Sequence, residues 1–197
     1  MDTIKVINKL KSKGIVTTKD LIKMGVSKPT LTRLVREEKI NHLARGLYIH
    51  PDSRVVKPEE LDFIVATTIF GKKSVIGGLT ALFHYVLVEQ VPQQIWVIVP
   101  SDIKTRSNFY RLIRTKKTSN EGIIDNGRYK ITSIERTLID ALTYSSKFGI
   151  RTAIEAITRA IKRKQTTIKK ISDTAIKMKQ EDILKKHWET IIGAISA

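Results

Sequence analysis

The stretch that decides the fold is TTKDLIKMGVSKPTLTRLVREEKINHLARGLYI, residues 17–49. It reads as a short helix, a turn at Gly25, a second helix rich in basic residues, and a two-stranded ribbon. This order of elements is typical of a winged helix-turn-helix, in which the second helix of the motif enters the major groove of DNA. The sequence therefore predicts a DNA-binding module near the N-terminus.

The spacing of apolar residues predicts one more helix ahead of this stretch. Ile4, Ile7 and Leu10 recur at helical intervals on one side, and the lysines lie on the other. We expect this helix to begin at Asp2 or Thr3 and to end at the glycine that follows the Lys-Ser-Lys run.

Capping residues and apolar positions define the second helix. Thr17 or Thr18 is expected to cap it, because a hydroxyl at that position accepts a hydrogen bond from a free backbone N–H. Leu21, Ile22 and Met24 are expected to supply its buried side.

The third helix is the candidate recognition helix. Ser27 is its expected N-cap, and at 100° per residue Leu34 and Val35 each fall within about 60° of Leu31, so all three are expected to face the core. The opposite side then presents Pro29, Arg33 and Arg36, flanked by Thr30, Thr32 and Glu37.

The outer face of this helix and the turn of the ribbon carry the chemistry that DNA recognition needs. Arginine contacts guanine with two hydrogen bonds, and hydroxyls reach phosphates or bases. Gly46 can adopt the positive φ of a tight hairpin, which leaves Arg45 at the wing tip for the phosphate backbone or the minor groove. An ordinary solvated surface is the alternative at both places. The candidate DNA-binding residues are Ser27, Lys28, Thr30, Thr32, Arg33, Arg36, Arg45 and Gly46.

The charge of the chain points to a polyanionic partner. The 36 Lys and Arg residues outnumber the 19 Asp and Glu residues, for a net charge of +17. The excess lies in residues 1–50 (11 basic, 4 acidic), 101–130 (8 and 3) and 151–197 (11 and 5). Such charge favours nucleic acid as a partner, although a general lysine bias on solvated helices is the alternative.

Cysteine content and hydropathy set further expectations. The chain has no cysteine, which excludes disulfides and thiolate metal sites and favours a reducing, cytoplasmic location. No apolar run approaches the ~18 residues of a membrane span, and the N-terminus lacks a basic-then-apolar signal pattern. We therefore expect no membrane association.

The remainder of the chain predicts a mixed α/β domain whose C-terminal part is helical. Strands are expected at residues 94–99, 108–115 and 127–132, with a hairpin turn of Asp125-Asn126-Gly127 between the last two, and a short strand and turn are expected at residues 75–78. Helices are expected at residues 58–70, 79–87, 134–144, 150–163, 166–178 and 182–195. The predicted fold class is α+β, with domains at residues 1–50 (winged helix-turn-helix) and 58–197 (antitoxin or oligomerisation domain), joined by a linker at 51–57.

Two basic segments outside the module leave alternatives open. Residues 101–117 interleave basic side chains with Phe109 and Tyr110, which suits either nucleic-acid binding or an exposed strand face. The run Lys162-Arg163-Lys164 suits phosphates, an acidic partner, or a solvated loop between helices.

The residue patterns of an enzyme are weak. The four histidines lack the i,i+4 spacing of a helical metal pair, and His84 is expected in the core or at an interface. Gly77-Gly78-Leu79-Thr80 could cradle a phosphate, but no Asp-x-Asp pair supports metal-dependent phosphoryl transfer. Asp102-Ile103-Lys104 follows a predicted strand and is one half of a metal-dependent nuclease constellation, whose only upstream acidic partner is Glu89, beyond a proline. Nuclease activity is therefore the minor alternative. We expect no catalysis, no metal and no cofactor.

Three motifs together resemble a known family. They are Arg45-Gly46-Leu47-Tyr48 at the wing, residues 78–84 with the pattern Gly-Leu-Thr-Ala-Leu-Phe-His, and residues 134–142 with the pattern Ile-Glu-Arg-Thr-Leu-Ile-Asp-Ala-Leu. In this order and spacing, over residues 16–142, they resemble the AbiE-type antitoxins of abortive-infection (type IV) toxin–antitoxin systems.

The resemblance implies a two-domain antitoxin and transcriptional autorepressor. Its winged helix would bind inverted repeats in double-stranded DNA at its own promoter, as more than one protomer, with a homodimer on DNA as one arrangement. Its second domain would counteract a nucleotidyltransferase-like toxin, directly or indirectly. A winged-helix regulator without a toxin partner is the alternative.

The 134–142 motif also has an interpretation of its own. Ile134, Leu138 and Ile139 share an apolar face, while Arg136 and Asp140 stand at i,i+4 spacing. That spacing predicts a charge pair on the helix surface.

Overall fold

The computed structural model describes residues 3–116 and 119–196, so the predicted helix start at Asp2 and the basic residue Lys117 lie outside the described residues. The chain forms two compact units, Met1–Val65 and Ala66–Ala197, and the boundary falls inside a helix, α4 (Pro58–Phe70). A functional division at residues 51–57 remains a prediction. The elements ahead of α4 are α1 (Thr3–Lys13), β1 (Val16–Thr17), α2 (Thr18–Lys23), α3 (Lys28–Arg36), β2 (Asn41–Ala44) and β3 (Leu47–Ile49).

The three predicted helices of the N-terminal unit are present. Thr17 caps α2 by accepting a hydrogen bond from the N–H of Asp20 at 3.1 Å, and a glycine with φ +78° follows α1. The core of the unit contains an apolar cluster in which Leu10, Leu21 and Leu34 are fully buried. Packing around this small cluster therefore holds the helices in place.

Three apolar residues that the helical spacing placed inside are exposed. The exposed fraction is 67% for Ile4, 48% for Ile22 and 37% for Met24. Since α2 has only six residues, it buries one side chain, Leu21, and Met24 already stands at its C-cap. The prediction that Ile22 and Met24 lie on the buried side of α2 was therefore wrong.

The predicted ribbon carries a third strand. β2 and β3 pair antiparallel, and β1 joins the other side of β3 through Val16 opposite Tyr48. The sequence did not predict β1, because two residues are too few to show an alternation of apolar and polar side chains.

The second unit is a mixed sheet covered by helices. Its strand order is β6-β5-β4-β8-β7, with β5–β6 and β4–β8 parallel and the other pairs antiparallel. The elements are β4 (Val75–Ile76), α5 (Gly78–His84), β5 (Ile95–Pro100), β6 (Tyr110–Thr115), β7 (Ile123–Asp125), β8 (Lys130–Thr132), α6 (Ile134–Thr143), α7 (Ile150–Lys162), α8 (Ile168–Met178) and α9 (Glu181–Ser196). This arrangement confirms the predicted α+β fold class with a helical C-terminal part.

One predicted strand pairing was wrong. The turn at residues 125–127 connects β8 to β7, not to β6. β6 lies at the opposite edge of the sheet, parallel to β5. The strand β7 was missed because it has three residues, none of them fully buried, and so carries no apolar pattern.

The glycine pair at the start of α5, Gly77 at the N-cap and Gly78 as the first residue, allows the helix to pack closely against the sheet. A Cβ on Gly78 would lie 2.7 Å from the Trp96 ring, and one on Gly77 would lie 2.6 Å from Ile98. Thr80 completes the contact: its Oγ1 accepts a hydrogen bond from the N–H of Trp96 at 2.8 Å. The glycines therefore serve the close approach of this turn to the β5 side chains.

The charge pair of α6 is buried, which corrects its predicted position on the surface. Arg136 is 5% exposed and Asp140 6% exposed, with Nε 3.4 Å from Oδ2. Arg136 Nη1 also donates to the backbone oxygens of Ser119 and Glu121. Helical spacing revealed the pair, but the loop that covers it, residues 119–122, lies 14–17 positions away in the sequence and could not be predicted from spacing.

Among the helices of the described residues, none combines the length and hydrophobicity that a membrane span requires.

Candidate nucleic-acid interface

The turn between α2 and α3 is built by local backbone contacts. Gly25 has φ +83°, which a side chain would disfavour, and Val26 returns to the core with 2% exposure. The N–H of Val26 donates to the carbonyl of Leu21 at 3.0 Å. α2, this turn and α3 together form the helix-turn-helix that the sequence predicted.

α3 separates an apolar side from a polar one, as predicted. Leu31 and Leu34 are buried and Val35 is half-buried. The exposed residues of α3 and its flanks are Ser27, Lys28, Pro29, Thr32, Arg33, Arg36 and Glu37, with Thr30 half-buried. The structure therefore places the six candidate DNA-binding residues at 27–36 on or beside the open side of one nine-residue helix.

The hydroxyls of the face are partly used within the helix. Ser27 Oγ caps α3 by accepting from the N–H of Thr30 at 3.3 Å, and it lies 2.8 Å from Thr30 Oγ1. Thr32 Oγ1 donates to the carbonyl of Lys28 at 3.2 Å. The O–H of Thr32 is engaged, and one of the Ser27 and Thr30 hydroxyls donates to the other, so Lys28 and the arginines carry most of the free hydrogen-bond donors of the face.

The charges of the face are largely uncompensated. Arg33 Nε lies 3.8 Å from Glu37 Oε1, and Lys39 Nζ lies 2.8 Å from Glu37 Oε2. The hydrogen bond from Lys39 holds the pKa of Glu37 below its usual value, so this carboxylate stays ionised. Exposed pairs of this kind stabilise little, and Arg33 can leave Glu37 at small cost. No acidic side chain of the described residues forms an ion pair with Arg36.

The wing presents its tip arginine to solvent. Arg45 is exposed in the turn between β2 and β3, and Gly46 has φ +77°. The carbonyl of Gly46 accepts a hydrogen bond from the N–H of Thr18 at 2.8 Å, and a Cβ at Gly46 would lie 3.1 Å from Thr18 Oγ1. The hydrogen bond at Gly46 therefore connects the wing to the start of α2.

Sequence analysis missed two polar side chains of the wing. Asn41 and His42 are both exposed on β2, where a register shift follows His42. Their exposure departs from strict alternation, which is why the pattern did not select them. Their position in the first strand of the ribbon was the available signal.

The other candidate residues lie outside this module. Glu89 pairs with Arg159 at 3.0 Å, Asp102 is exposed in a turn, and His84 is exposed instead of lying in the core. Within residues 3–116 and 119–196, no group of three His, Asp or Glu side chains has the arrangement of a metal site.

The two further basic segments differ in their contacts. In the first, the Arg111 guanidinium lies 5.3 Å from the centroid of the Trp96 ring, and Phe109 is 77% exposed. Both alternatives for residues 101–117 remain predictions. In the second, Arg163 is not a free loop residue, because its Nη1 donates to the carbonyl of Val86 at 2.7 Å.

The N-terminal module is similar to a known family. Residues 6–50 match the family described as "Transcriptional regulator, AbiEi antitoxin". No curated protein matches the chain. The match spans α1 to β3 and confirms the resemblance to the AbiE-type antitoxins for this module, while the motifs at residues 78–84 and 134–142 lie outside it.

Proposed function

We propose that this chain is a transcriptional autorepressor and antitoxin of a type IV toxin–antitoxin system, which counteracts a nucleotidyltransferase-like toxin in the cytoplasm. The observation that carries the proposal is the exposed basic face of α3, which lies inside the segment that matches an antitoxin regulator family. An uncompensated basic face on the second helix of a helix-turn-helix suits the major groove of DNA.

The residues have distinct roles in this proposal. Arg33 and Arg36 contact guanine edges, because each can donate two parallel hydrogen bonds to O6 and N7. Lys28 contacts phosphates, and the hydroxyls of Ser27 and Thr32 do so when their O–H groups turn from their partners within the helix to a phosphate oxygen. These contacts set the register without reading sequence. Arg45 contacts the backbone or the minor groove beside the recognition helix. The operator is an inverted repeat bound by two protomers whose half-sites lie about one helical turn, 34–36 Å, apart.

Replacing Arg33 or Arg36 by alanine is expected to cost about 1–3 kcal/mol of binding to the chain's own promoter. The loss arises from a pair of hydrogen bonds to a base that water replaces poorly. Fluorescence anisotropy on a labelled promoter duplex measures it. Arg151→Ala is the matched control, since Arg151 is also an exposed helical arginine paired at i,i+4, with Glu155. Unchanged affinity in both Arg33→Ala and Arg36→Ala would refute this assignment.

The antitoxin activity is expected to survive the loss of DNA reading. With toxin and antitoxin expressed from separate inducible promoters, the full-length Arg33→Ala/Arg36→Ala variant should rescue growth to within about twofold of wild type. The reason is that both substitutions lie on exposed side chains of α3 and leave residues 66–197 unchanged. The toxin tested is the nucleotidyltransferase-like protein encoded beside this chain.

Two results would correct the proposal in different ways. Loss of rescue in the double variant would mean that neutralisation acts through DNA. The absence of a nucleotidyltransferase-like neighbour gene would leave a winged-helix regulator without a toxin partner.

A further inference from the structure

The turn that follows α5 holds a valine where a glycine is expected. The N–H of Val86 donates to the carbonyl of Phe83, and the N–H of Leu87 donates to the carbonyl of Leu82, both at 2.9 Å. These two bonds form a Schellman motif, whose central residue must adopt a left-handed conformation. Val86 accordingly has φ +58°, which is strained for a β-branched side chain.

Packing inside the chain does not explain this valine. Val86 is 60% exposed, so most of its side chain faces solvent. The other non-glycine residues with positive φ among the described residues are Glu38, Lys164 and Lys179, all unbranched at Cβ. A strained and exposed apolar side chain is more useful to a partner than to the fold.

A cleft on α7 lies next to this turn. It has a volume of about 530 Å³ and is lined by α7 residues, among them Ile154, Arg159 and Lys162, by the C-cap residue Arg163, and by Ala194 from α9. Arg163 joins the cleft to the turn through its hydrogen bond to the carbonyl of Val86. The turn that carries Val86 therefore adjoins the lining of the cleft at Arg163.

The charge of this surface selects its occupant. Lys162, Arg163 and Lys164 are consecutive and exposed. Arg159 pairs with Glu89, and Glu155 pairs with Arg151, so these two carboxylates are already engaged. Three exposed cations beside an aliphatic side chain complement a segment that carries carboxylates around an apolar residue.

We propose that Val86 and the α7 cleft, together with Lys162 and Arg163, bind a segment of a partner protein in which an apolar side chain is flanked by Asp or Glu. The apolar residue packs on Val86 and into the cleft, and the carboxylates pair with the cations at its rim. A duplex of DNA would use the cations alone, because phosphates gain nothing from an aliphatic side chain.

Selection from a random 16-residue peptide library displayed on phage, with the full chain as bait, tests the proposal. We expect the enriched peptides to combine an apolar residue with flanking Asp or Glu. Binding of the synthesised peptide, measured by anisotropy, should weaken about tenfold or more in Val86→Gly and in Lys162→Glu.

Val86→Gly separates binding from folding, since glycine relieves the strained φ. Its Tm should be unchanged or higher by about 2–4 °C, the shift typical of a small stabilisation in a chain of this size. Lys179→Gly is the matched control: it relieves the same strain at the end of α8 and removes a charge. It should leave peptide affinity within twofold of wild type.

Several results would overturn the proposal. The first is a selection that enriches no peptide, and the second is the enrichment of basic peptides. The third is a Val86→Gly variant that binds the selected peptide with the same affinity as the wild type. Binding of a 16-base-pair duplex that Lys162→Glu abolishes and Val86→Gly leaves unchanged would assign the surface to nucleic acid instead.

Discussion

Replacing Arg136 by methionine is expected to lower the free energy of unfolding of the second unit by about 3–5 kcal/mol, the typical cost of removing one partner of a buried charge pair. Asp140 would remain 6% exposed without its cation, and the backbone oxygens of Ser119 and Glu121 would lose their donor. Urea unfolding followed by tryptophan fluorescence measures the change. Both tryptophans, Trp96 and Trp188, belong to this unit.

Arg151→Met is the control for this prediction. Arg151 and Glu155 form an ion pair with the same i,i+4 spacing on α7, but their side chains are 90% and 56% exposed. Exposed helical pairs contribute about 0.3–0.5 kcal/mol, so this variant should unfold almost as the wild type does. Equal stability losses in the two variants would show that burial of the α6 pair has no special importance.

The destabilisation of Arg136→Met should increase with pH. Burial raises the pKa of Asp140 to about 6, while Arg136 acts to lower it. The ordinary pKa of an aspartate is 3.8, and the pKa of Asp140 is higher than this in the folded protein. In such a case the free energy of unfolding falls as the pH rises from the unfolded-state pKa to the folded-state pKa. In the wild type this loss ends near pH 6. Without Arg136 the folded pKa is higher still, so the loss continues, and the variant should be further from wild type at pH 8 than at pH 5.

Raising the salt concentration from 50 to 200 mM is expected to weaken promoter binding about 500-fold. If ~5 phosphates are neutralised, log K falls with log salt at a slope near −4.5, because bound counterions are released into solution. The charge for this lies in residues 1–50, which hold 11 basic and 4 acidic groups. Anisotropy titrations at four or more salt concentrations give the slope. A slope near zero would mean that these charges do not meet phosphates.

The caps and apolar positions of the N-terminal unit could be predicted because they are local. A threonine or serine cap bonds to an N–H three residues on, as Thr17 and Ser27 do. The buried side of α3 follows from helical geometry alone, and so does the exposure of Arg33 and Arg36. The part of the candidate interface that lies on α3 could therefore be predicted from the sequence.

Features that depend on distant parts of the chain could not be predicted. β1 exists because Val16 meets Tyr48, and the position of β6 depends on its parallel pairing with β5. The burial of Arg136 requires the loop at residues 119–122, which packs over it with Gly122, where a Cβ would lie 2.7 Å from Arg136 Cβ. None of these contacts has a periodic signature.

The same limit applies to the surface around Val86. A valine after a helix of apolar residues looks like part of the core in the sequence, and only the backbone shows that it takes the place of a C-capping glycine. Its link to Arg163 spans 77 residues. No local pattern predicts that link.

The most direct test of the central claim, that the outer face of α3 reads DNA sequence, is the ratio of affinities for the promoter duplex and for a scrambled duplex of the same composition. At fixed salt, the wild type should prefer the promoter by about 10³-fold or more. In Arg33→Ala/Arg36→Ala that preference should fall at least about 100-fold, while binding to the scrambled duplex weakens much less, since Lys28 and Arg45 still meet phosphates. An unchanged ratio in the double variant would contradict the claim.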